Sequence, residues 1–352
     1  MKDLSQELIE QVRQARADGT QLRIVGGGSK DFMGREAEGA PLSLAGHSGI
    51  ISYQPIELVL TARAGTRLSD INAALAEHNQ MLACEPPLFG GRATIGGTLA
   101  CHLSGAGRPW SGSVRDHVLG IRLINGRGES LRFGGQVMKN VAGYDVSRMQ
   151  AGAMGTLGII SEVSLKVMPR PAATLTLRRE MGAQQAIEEM NRLAGQPKPL
   201  TGACWFDNHL YLRLAGARSA VESTVEQWPG TVLEEGDALW HQLDEQQLDY
   251  FSGDAPLWRF SVKSSAPPLL PDEAWLIDWG GSQRWLRGDF AHAELEALAE
   301  SAGGQVSLYR GGDRRQEVFH RQPEALRRLH QRLKDAFDPD GIFNPGRLYS
   351  WM

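Results

Sequence analysis

Cysteine is scarce in this chain of 352 residues: three are present, Cys84, Cys101 and Cys204, widely spaced and without a Cys-x-x-Cys pair. Such a set cannot hold an iron–sulfur cluster unaided, and it fits a reduced, cytoplasmic setting better than a disulfide framework. Long apolar runs are missing too, since none approaches the roughly 20 residues of a membrane span. The N-terminus, Met1-Lys2-Asp3-Leu4-Ser5-Gln6-Glu7, lacks the apolar centre of a signal peptide. Any membrane association is therefore expected to go through partner subunits. Nor is there an excess of charge of one sign. The net charge is −4, and the basic residues are scattered apart from a mixed run around 310–315, which gives no reason to expect nucleic acid. A length of 352 residues with 41% hydrophobic content leaves room for two or three ordinary globular domains.

Glycine is plentiful, and it is clustered. Leu22-Arg23-Ile24-Val25 reads as a strand running directly into Gly26-Gly27-Gly28-Ser29-Lys30. Glycines after a strand either turn a hairpin or line up backbone N–H groups as a nest for a pyrophosphate. The Rossmann reading fails, because G-x-G-x-x-G is absent, and a Walker loop fails for want of its Gly-Lys-Ser/Thr ending. The second cluster spans 90–112. Within it Ile95, Leu99 and Leu103 recur at helical spacing, which predicts a short buried helix beginning near Thr94. The third is Gly152-Ala153-Met154-Gly155-Thr156-Leu157-Gly158-Ile159-Ile160, opening a strand whose alternation continues through Val163, Leu165 and Val167. One glycine-rich run alone is as well read as a surface loop; three shift the balance towards a site where backbone approaches a ligand.

Between and beyond these clusters the pattern is mixed. A helix with Leu4, Leu8, Ile9 and Val12 at helical spacing is expected to end at Asp18-Gly19 and another helix over 67–78, with strands at 42–44, 49–53 and 58–62. A hairpin at 117–133 is expected to turn tightly on Asn125-Gly126. After Pro169-Arg170-Pro171 come a strand (174–178), a helix (183–193), two strands (202–206, 210–214), a helix (217–228) and a strand (230–233). This is the β-α-β-β-α-β order of a ferredoxin-like sandwich. A less complete copy recurs over 257–309, and a last helix runs over 323–337. Trp228, Trp240, Trp258, Trp275, Trp279 and Trp285 fall in this part and are expected to fill its core, some of them marking an interface.

The residues 26–30, Thr94-Ile95-Gly96-Gly97-Thr98 running on to Ser104, Gly155-Thr156-Leu157-Gly158-Ile159-Ile160 and the tail Ile342-Phe343-Asn344-Pro345-Gly346-Arg347 resemble the vanillyl-alcohol oxidase and para-cresol methylhydroxylase (PCMH-type) flavoprotein superfamily. Within it the chain is similar to the FAD-binding E-subunit family of glycolate oxidases. That likeness runs through Cys84-Glu85-Pro86-Pro87, residues 108–116 and Met138-Lys139-Asn140-Val141-Ala142-Gly143-Tyr144-Asp145. The resemblance implies an α+β fold: a two-part PCMH-type FAD-binding domain over 1–170, a ferredoxin-like split antiparallel-sheet cap over 171–322, and a helix and tail over 323–352 returning to the FAD domain. It also implies that the amides of Gly26, Gly27, Gly28, Ser29 and Lys30 take the FAD diphosphate. Pro86, Thr94, Gly96, Gly97, Cys101 and Ser104 would line the adenine and ribityl path. Gly155, Thr156, Leu157, Gly158, Ile159 and Ile160 would complete the pocket.

Some members tether FAD through a histidine in or just after the first loop, and residues 26–34 contain none, so a non-covalent FAD is expected. Related 2-hydroxy-acid dehydrogenases carry a His-x-Gly-Asp-Gly-Asn metal site, which this chain lacks, so no metal is expected. Oxidising an α-hydroxy acid needs a base, a cation for the carboxylate and a flavin. Lys139, Arg115 and Arg347 are candidate cations, and His102 and Tyr144 candidate proton carriers; each has an equally ordinary structural reading. The expected role is that of an FAD-binding subunit of a cytoplasmic glycolate oxidase that oxidises glycolate to glyoxylate. It would work beside a catalytic FAD subunit and an iron–sulfur subunit. The alternatives are a self-sufficient 2-hydroxy-acid dehydrogenase and a scaffold that has lost redox function.

Overall fold

The computed structural model describes residues 2–135 and 145–352. The chain divides into two compact units. One comprises Met1–Leu103, Ser113–Pro169 and Asp313–Met352; the other comprises Ser104–Gly112 and Arg170–Gly312.

The first unit begins with helix α1 (Ser5–Asp18), which buries Leu8, Ile9, Val12 and Ala15 along one face and ends at Gly19 in the left-handed conformation. Strand β1 (Leu22–Val25) pairs in parallel with β2 (Ala40–Ser43). The C-terminal tail extends this pairing: Leu22 N–H donates to Ile342 O at 2.7 Å and Asn344 N–H to Leu22 O at 2.9 Å. Leu8, Val12, Leu22, Leu42, Ile342 and Phe343 pack together here as one core. A second core lies on a five-stranded antiparallel sheet. Its strands are β3 (Ile50–Gln54), β4 (Val59–Arg63), β6 (Val118–Ile124), β7 (Ser130–Gly134) and β8 (Ile159–Lys166), in the order β3-β4-β8-β6-β7. Helices α2 (Leu68–Ala76) and α3 (Ile95–Cys101) contribute Leu68, Ile71, Leu75, Ile95 and Leu99, each 0% exposed, to that core. A short pair, β5 (Gln80–Met81) with β9 (Met168–Pro169), completes this unit's strands among the described residues.

The turn expected at Asn125-Gly126 is not the tight primed kind. The loop between β6 and β7 is five residues long, and Asn125 Oδ1 accepts from the N–H groups of both Arg127 and Glu129 at 3.0 Å. The side chain replaces the missing ladder bonds, an Asx-type solution. It frees Gly126 N–H to donate to Phe337 O at 2.8 Å.

The second unit is built on an eight-stranded sheet made of two halves with one topology. The first half comprises β10 (Ala173–Glu180), β11 (Leu200–Phe206), β12 (His209–Gly216) and β13 (Thr231–Val232), in the order β13-β10-β12-β11. Numbered within the half this is 4-1-3-2, the ferredoxin-like order. The second half comprises β14 (Leu257–Ser261), β15 (Trp275–Asp278), β16 (Gln283–Arg287) and β17 (Gln305–Arg310), and it reads 4-1-3-2 from the opposite edge. The halves join where Trp205 of β11 pairs with Ile277 of β15. In the first half the helix Ala183–Ala194 follows strand one. In the second half, residues 262–274 carry Pro267, Pro268 and Pro271, which cannot sustain a helix. The fully buried Arg284 holds that segment instead. Its guanidinium donates to Gly281 O at 3.0 Å, to Pro267 O at 2.6 Å and to Ala266 O.

Two expectations about organisation need correcting. The tail rejoins the first unit at 313, ten residues earlier than the expected 323, because Arg314 donates to Gly34 O at 2.9 and 2.6 Å and Arg314 O accepts from Glu36 N–H. Ser104–Gly112, expected in the first domain, folds with the second unit: Asp244 accepts from Ala106 N–H at 2.8 Å and Trp279 Nε1 donates to Gly105 O at 3.0 Å. Asp244 ends a helix (Gly236–Asp244) that sequence periodicity did not show. The six tryptophans expected in the core are all buried.

Candidate functional site

A cavity of about 510 Å³ opens within the first unit, and the three glycine clusters meet at its wall. Residues 26–30 leave the end of β1, run past Arg92 and Thr94, and turn towards Asp31. No side chain fits at Gly27, where a Cβ would stand 1.7 Å from Arg92 O. The close approach of two backbones therefore dictates that glycine, quite apart from any ligand. Thr94 caps α3, its Oγ1 accepting from Gly97 N–H at 3.4 Å, so Gly96 and Gly97 are presented to the cavity by the helix's first turn. At the third cluster Gly155 has φ +75°, and a Cβ there would meet Asn344 Nδ2 at 2.6 Å.

Asn344 is the residue that closes the ring of segments. Its Oδ1 accepts from Ile24 N–H at 2.7 Å and its Nδ2 donates to Met154 O at 2.6 Å, so one amide joins the tail, β1 and the third glycine cluster. Behind it Lys334 is buried. Its Nζ donates to Thr156 O (2.8 Å), Phe343 O (2.8 Å) and Asp338 Oδ2 (2.7 Å). Asp338 in turn accepts from the N–H groups of Ile342 and Phe343 at 3.1 and 2.8 Å. Burial pushes the Lys334 amine below its usual range, against the opposing pull of Asp338.

Charge on the cavity wall is lopsided: Arg23, Lys30, Arg35, Arg314 and Arg347 face Asp31 and Glu36. Some of these cations are satisfied locally. Arg35 donates to the carbonyls of Gln316, Gly346 and Arg315, and Lys30 Nζ donates to Ser29 Oγ at 3.3 Å. Among the described residues Arg347 gives its hydrogen bonds to backbone carbonyls, Arg35 O at 2.9 Å and Asp31 O at 3.1 Å. Neither Arg23 nor Arg347 has a carboxylate within ion-pair distance among the described residues. Burial pushes the Arg347 guanidinium below its ordinary range against the opposing pull of Cys101 and Asp31, and the neighbouring charge of Arg23 adds to the downward shift. Arg314 is lowered to about 10 by burial and by Arg347. Like charges held together in a low-dielectric wall are costly until an anion arrives.

Of the expected site residues, Gly26, Gly27, Gly28, Ser29 and Lys30 reach this wall, as do Thr94, Gly96, Gly97 and Cys101, and Gly155, Gly158 and Ile160. Five do not. Pro86 is buried away from it, and Ser104 belongs to the second unit. Thr156 turns inward, its Oγ1 donating to Ala153 O at 2.7 Å, while Leu157 and Ile159 are core residues. For Ile159 the alternation of the strand gives the reason: Gly158 and Ile160 face the cavity and Ile159 the opposite core. Among the catalytic candidates, Arg347 lines the cavity, Arg115 is exposed on a short helix (Val114–His117) off the wall, and Lys139 and Tyr144 lie outside the described residues. His102 sits at the end of α3 with its Nε2 3.2 Å from Ser113 Oγ, also off the wall. Sequence reasoning missed Arg23, Arg314 and Asn344. The first adjoins the glycine run, and the last lies in the tail motif whose resemblance was noted without a role for that residue.

Two family models match: an FAD binding domain over residues 4–134 and the C-terminal domain of FAD linked oxidases over 291–348. The chain is 50% identical over 349 residues, 99% of its length and 98% of the relative's, to glycolate oxidase subunit GlcE of Escherichia coli (strain K12). The chain belongs to the FAD-linked oxidase family. It is also 34% identical over 140 residues to D-lactate dehydrogenase of Anaerostipes hadrus, where the match spans 40% of this chain and 29% of that protein. In fold it resembles 4-ethylphenol oxidase from Gulosibacter chungangensis, with TM-score 0.70 and 15% identity over 99% of this chain and 88% of the other. This family member therefore has the PCMH-type fold, and its cofactor is FAD. The cavity fits that group on its own terms. It has the size of a cofactor site, its walls are glycine backbone where a flat or anionic ligand must come close, and two of its cations lack carboxylate partners among the described residues.

Proposed function

We propose that this chain is the FAD-carrying subunit of a multi-subunit glycolate oxidase. In that assembly it relays electrons, or completes the complex, beside a larger catalytic flavoprotein and an iron–sulfur subunit. The observation that carries the reading is the cavity within the first unit, where three glycine clusters converge with Arg23 and Arg347, neither of which has a carboxylate within ion-pair distance among the described residues.

Bound FAD supplies the two-electron acceptor. The chain's residues bind and orient it. The amides of residues 26–30 face the diphosphate, and Arg347 and Arg23 neutralise its charge, relieving their mutual repulsion. Thr94, Gly96, Gly97 and Cys101 border the ribityl path, while Gly155, Gly158 and Ile160 keep water from one side of the pocket. The attachment is non-covalent, so the flavin leaves with mild unfolding. Among the described residues the wall carries no imidazole or phenol, which favours relay over independent proton abstraction from a hydroxy acid.

The test is anaerobic addition of glycolate to the purified chain, alone and with its partner subunits, while visible flavin absorbance is followed. Bleaching only with partners present is the expected result. Bleaching of the isolated chain sinks the relay reading in favour of a self-sufficient dehydrogenase, and a chain that never carries flavin sinks both.

A further inference from the structure

The tail helix Glu324–Phe337 is amphipathic, yet its one buried residue is a lysine, Lys334. Its apolar residues face outward instead. Leu326 is 43% and Leu329 50% exposed, Leu333 is half-buried, and Ala325 and Ala336 are exposed. Leu326, Leu329, Leu333 and Ala336 stand at spacings of three, four and three, the narrow seam of a helix that pairs with another helix. One flank of the seam is covered by the chain itself: Trp351 stacks on His330 with centroids 6.1 Å apart, and Arg327 lies 5.1 Å over the Trp351 ring. The other flank is open and basic. Arg328 is compensated by Glu324 at 3.6 Å, whereas Arg332 has no ion-pair partner among the described residues.

We infer that this seam is the docking face for a helix of another subunit of the same oxidase, one with an apolar seam and a glutamate- or aspartate-bearing flank opposite Arg332. The inference rests on the subunit reading above. A second copy of this chain is a poor occupant, because two-fold pairing brings Arg332 and its equivalent onto the same basic flank. A membrane surface fits less well, because the apolar strip is narrow and Glu324 and Asp335 border the polar side. Charge complementarity and the seam's spacing both select a helix with an acidic flank.

The experiment reconstitutes the complex from this chain and the catalytic flavoprotein and iron–sulfur subunits of its glycolate oxidase, comparing the unaltered chain with Leu326→Ser/Leu329→Ser and with Arg332→Glu. Both leucines are exposed, so the double variant is expected to keep its flavin count and melting temperature while assembly weakens at least ~10-fold. Arg332→Glu is expected to weaken assembly less and to reduce its salt dependence, with Arg332→Lys close to the unaltered chain. A photo-crosslinker in place of Leu329 is expected to label a helix of a partner subunit. Assembly at unaltered affinity with both variants overturns the interface while leaving the subunit reading intact. So does crosslinking to a second copy, or leucine-dependent sedimentation of the isolated chain with phosphatidylglycerol vesicles in place of any effect on assembly. Failure of the unaltered chain to assemble overturns the subunit reading and this interface together.

Discussion

Arg284 in the second unit and Arg347 in the first are both largely buried guanidiniums without a carboxylate partner among the described residues, and they do different work. Arg284 spends its donors on three carbonyls of its own fold, standing in for a helix that prolines forbid. Burial lowers it to about 10, and no lining of the cavity includes it. Arg347 gives hydrogen bonds to two carbonyls and lines an open cavity beside Arg23 and Arg314, whose charges oppose its own and are only partly offset by Asp31. A buried cation that is fully enclosed by acceptors is part of the framework. One that is left facing space beside other cations is waiting for an anion.

Lys334 joins the two roles, and removing it has the largest expected effect. Lys334→Met leaves Asp338 buried without its cation and frees the carbonyls of Thr156 and Phe343, a loss of about 3–5 kcal/mol. Because those carbonyls flank Gly155 and Asn344, flavin content of the surviving folded chain should fall as well. Thermal unfolding and flavin per chain measure the two effects, and retained flavin at full occupancy would show that the knot does not shape the cavity. Arg284→Ala is expected to cost about 2–4 kcal/mol, since it strips donors from buried carbonyls. It should leave flavin affinity of the folded chain untouched, and a parallel fall in flavin would erase the distinction between the two arginines. Arg347→Ala should do the opposite. FAD affinity should fall ~10–100-fold, the scale of a lost charge-assisted contact, while the flavin-free chain stays within ~1 kcal/mol of its starting stability. Equal destabilisation with and without FAD would place Arg347 with Arg284.

How much of this was legible in the sequence follows from range. The glycine clusters, the capped helix at Thr94 and the strand beyond Gly158 are local patterns, and each was read at its correct place. The repeated sheet of the second unit was legible because each half is built from short-range hairpins and crossovers. What escaped was long-range. Nothing near Asn344 says that its amide reaches Ile24 and Met154, and nothing near Lys334 says that its stem is buried against Thr156. Ile159 was expected at the site together with Ile160; the two-residue period of the strand turns it to the opposite core, and that phase is fixed only by packing. The Asn125-Gly126 turn failed because the tail, more than 200 residues away, takes up the Gly126 N–H.

A third buried cationic type, held neutral, sharpens the contrast with the smallest effect. His47 is fully buried, and its Nδ1 accepts from Leu4 N–H at 3.0 Å, fixing the start of α1. Burial lowers its pKa from the ordinary value; Asp3 and Glu162 oppose that shift and Arg63 adds to it. Because the folded pKa lies below the unfolded one, the stabilising contribution is complete above about pH 6.5 and is lost as pH falls through the folded value. Protonation turns the acceptor into a donor aimed at another donor, removing about 1 kcal/mol. His47→Asn keeps an acceptor near Leu4 N–H and cannot titrate, so it should flatten the decline of melting temperature between pH 7 and the acid limb. An unaltered slope would mean that carboxylates elsewhere, not this imidazole, govern the acid sensitivity of the first unit.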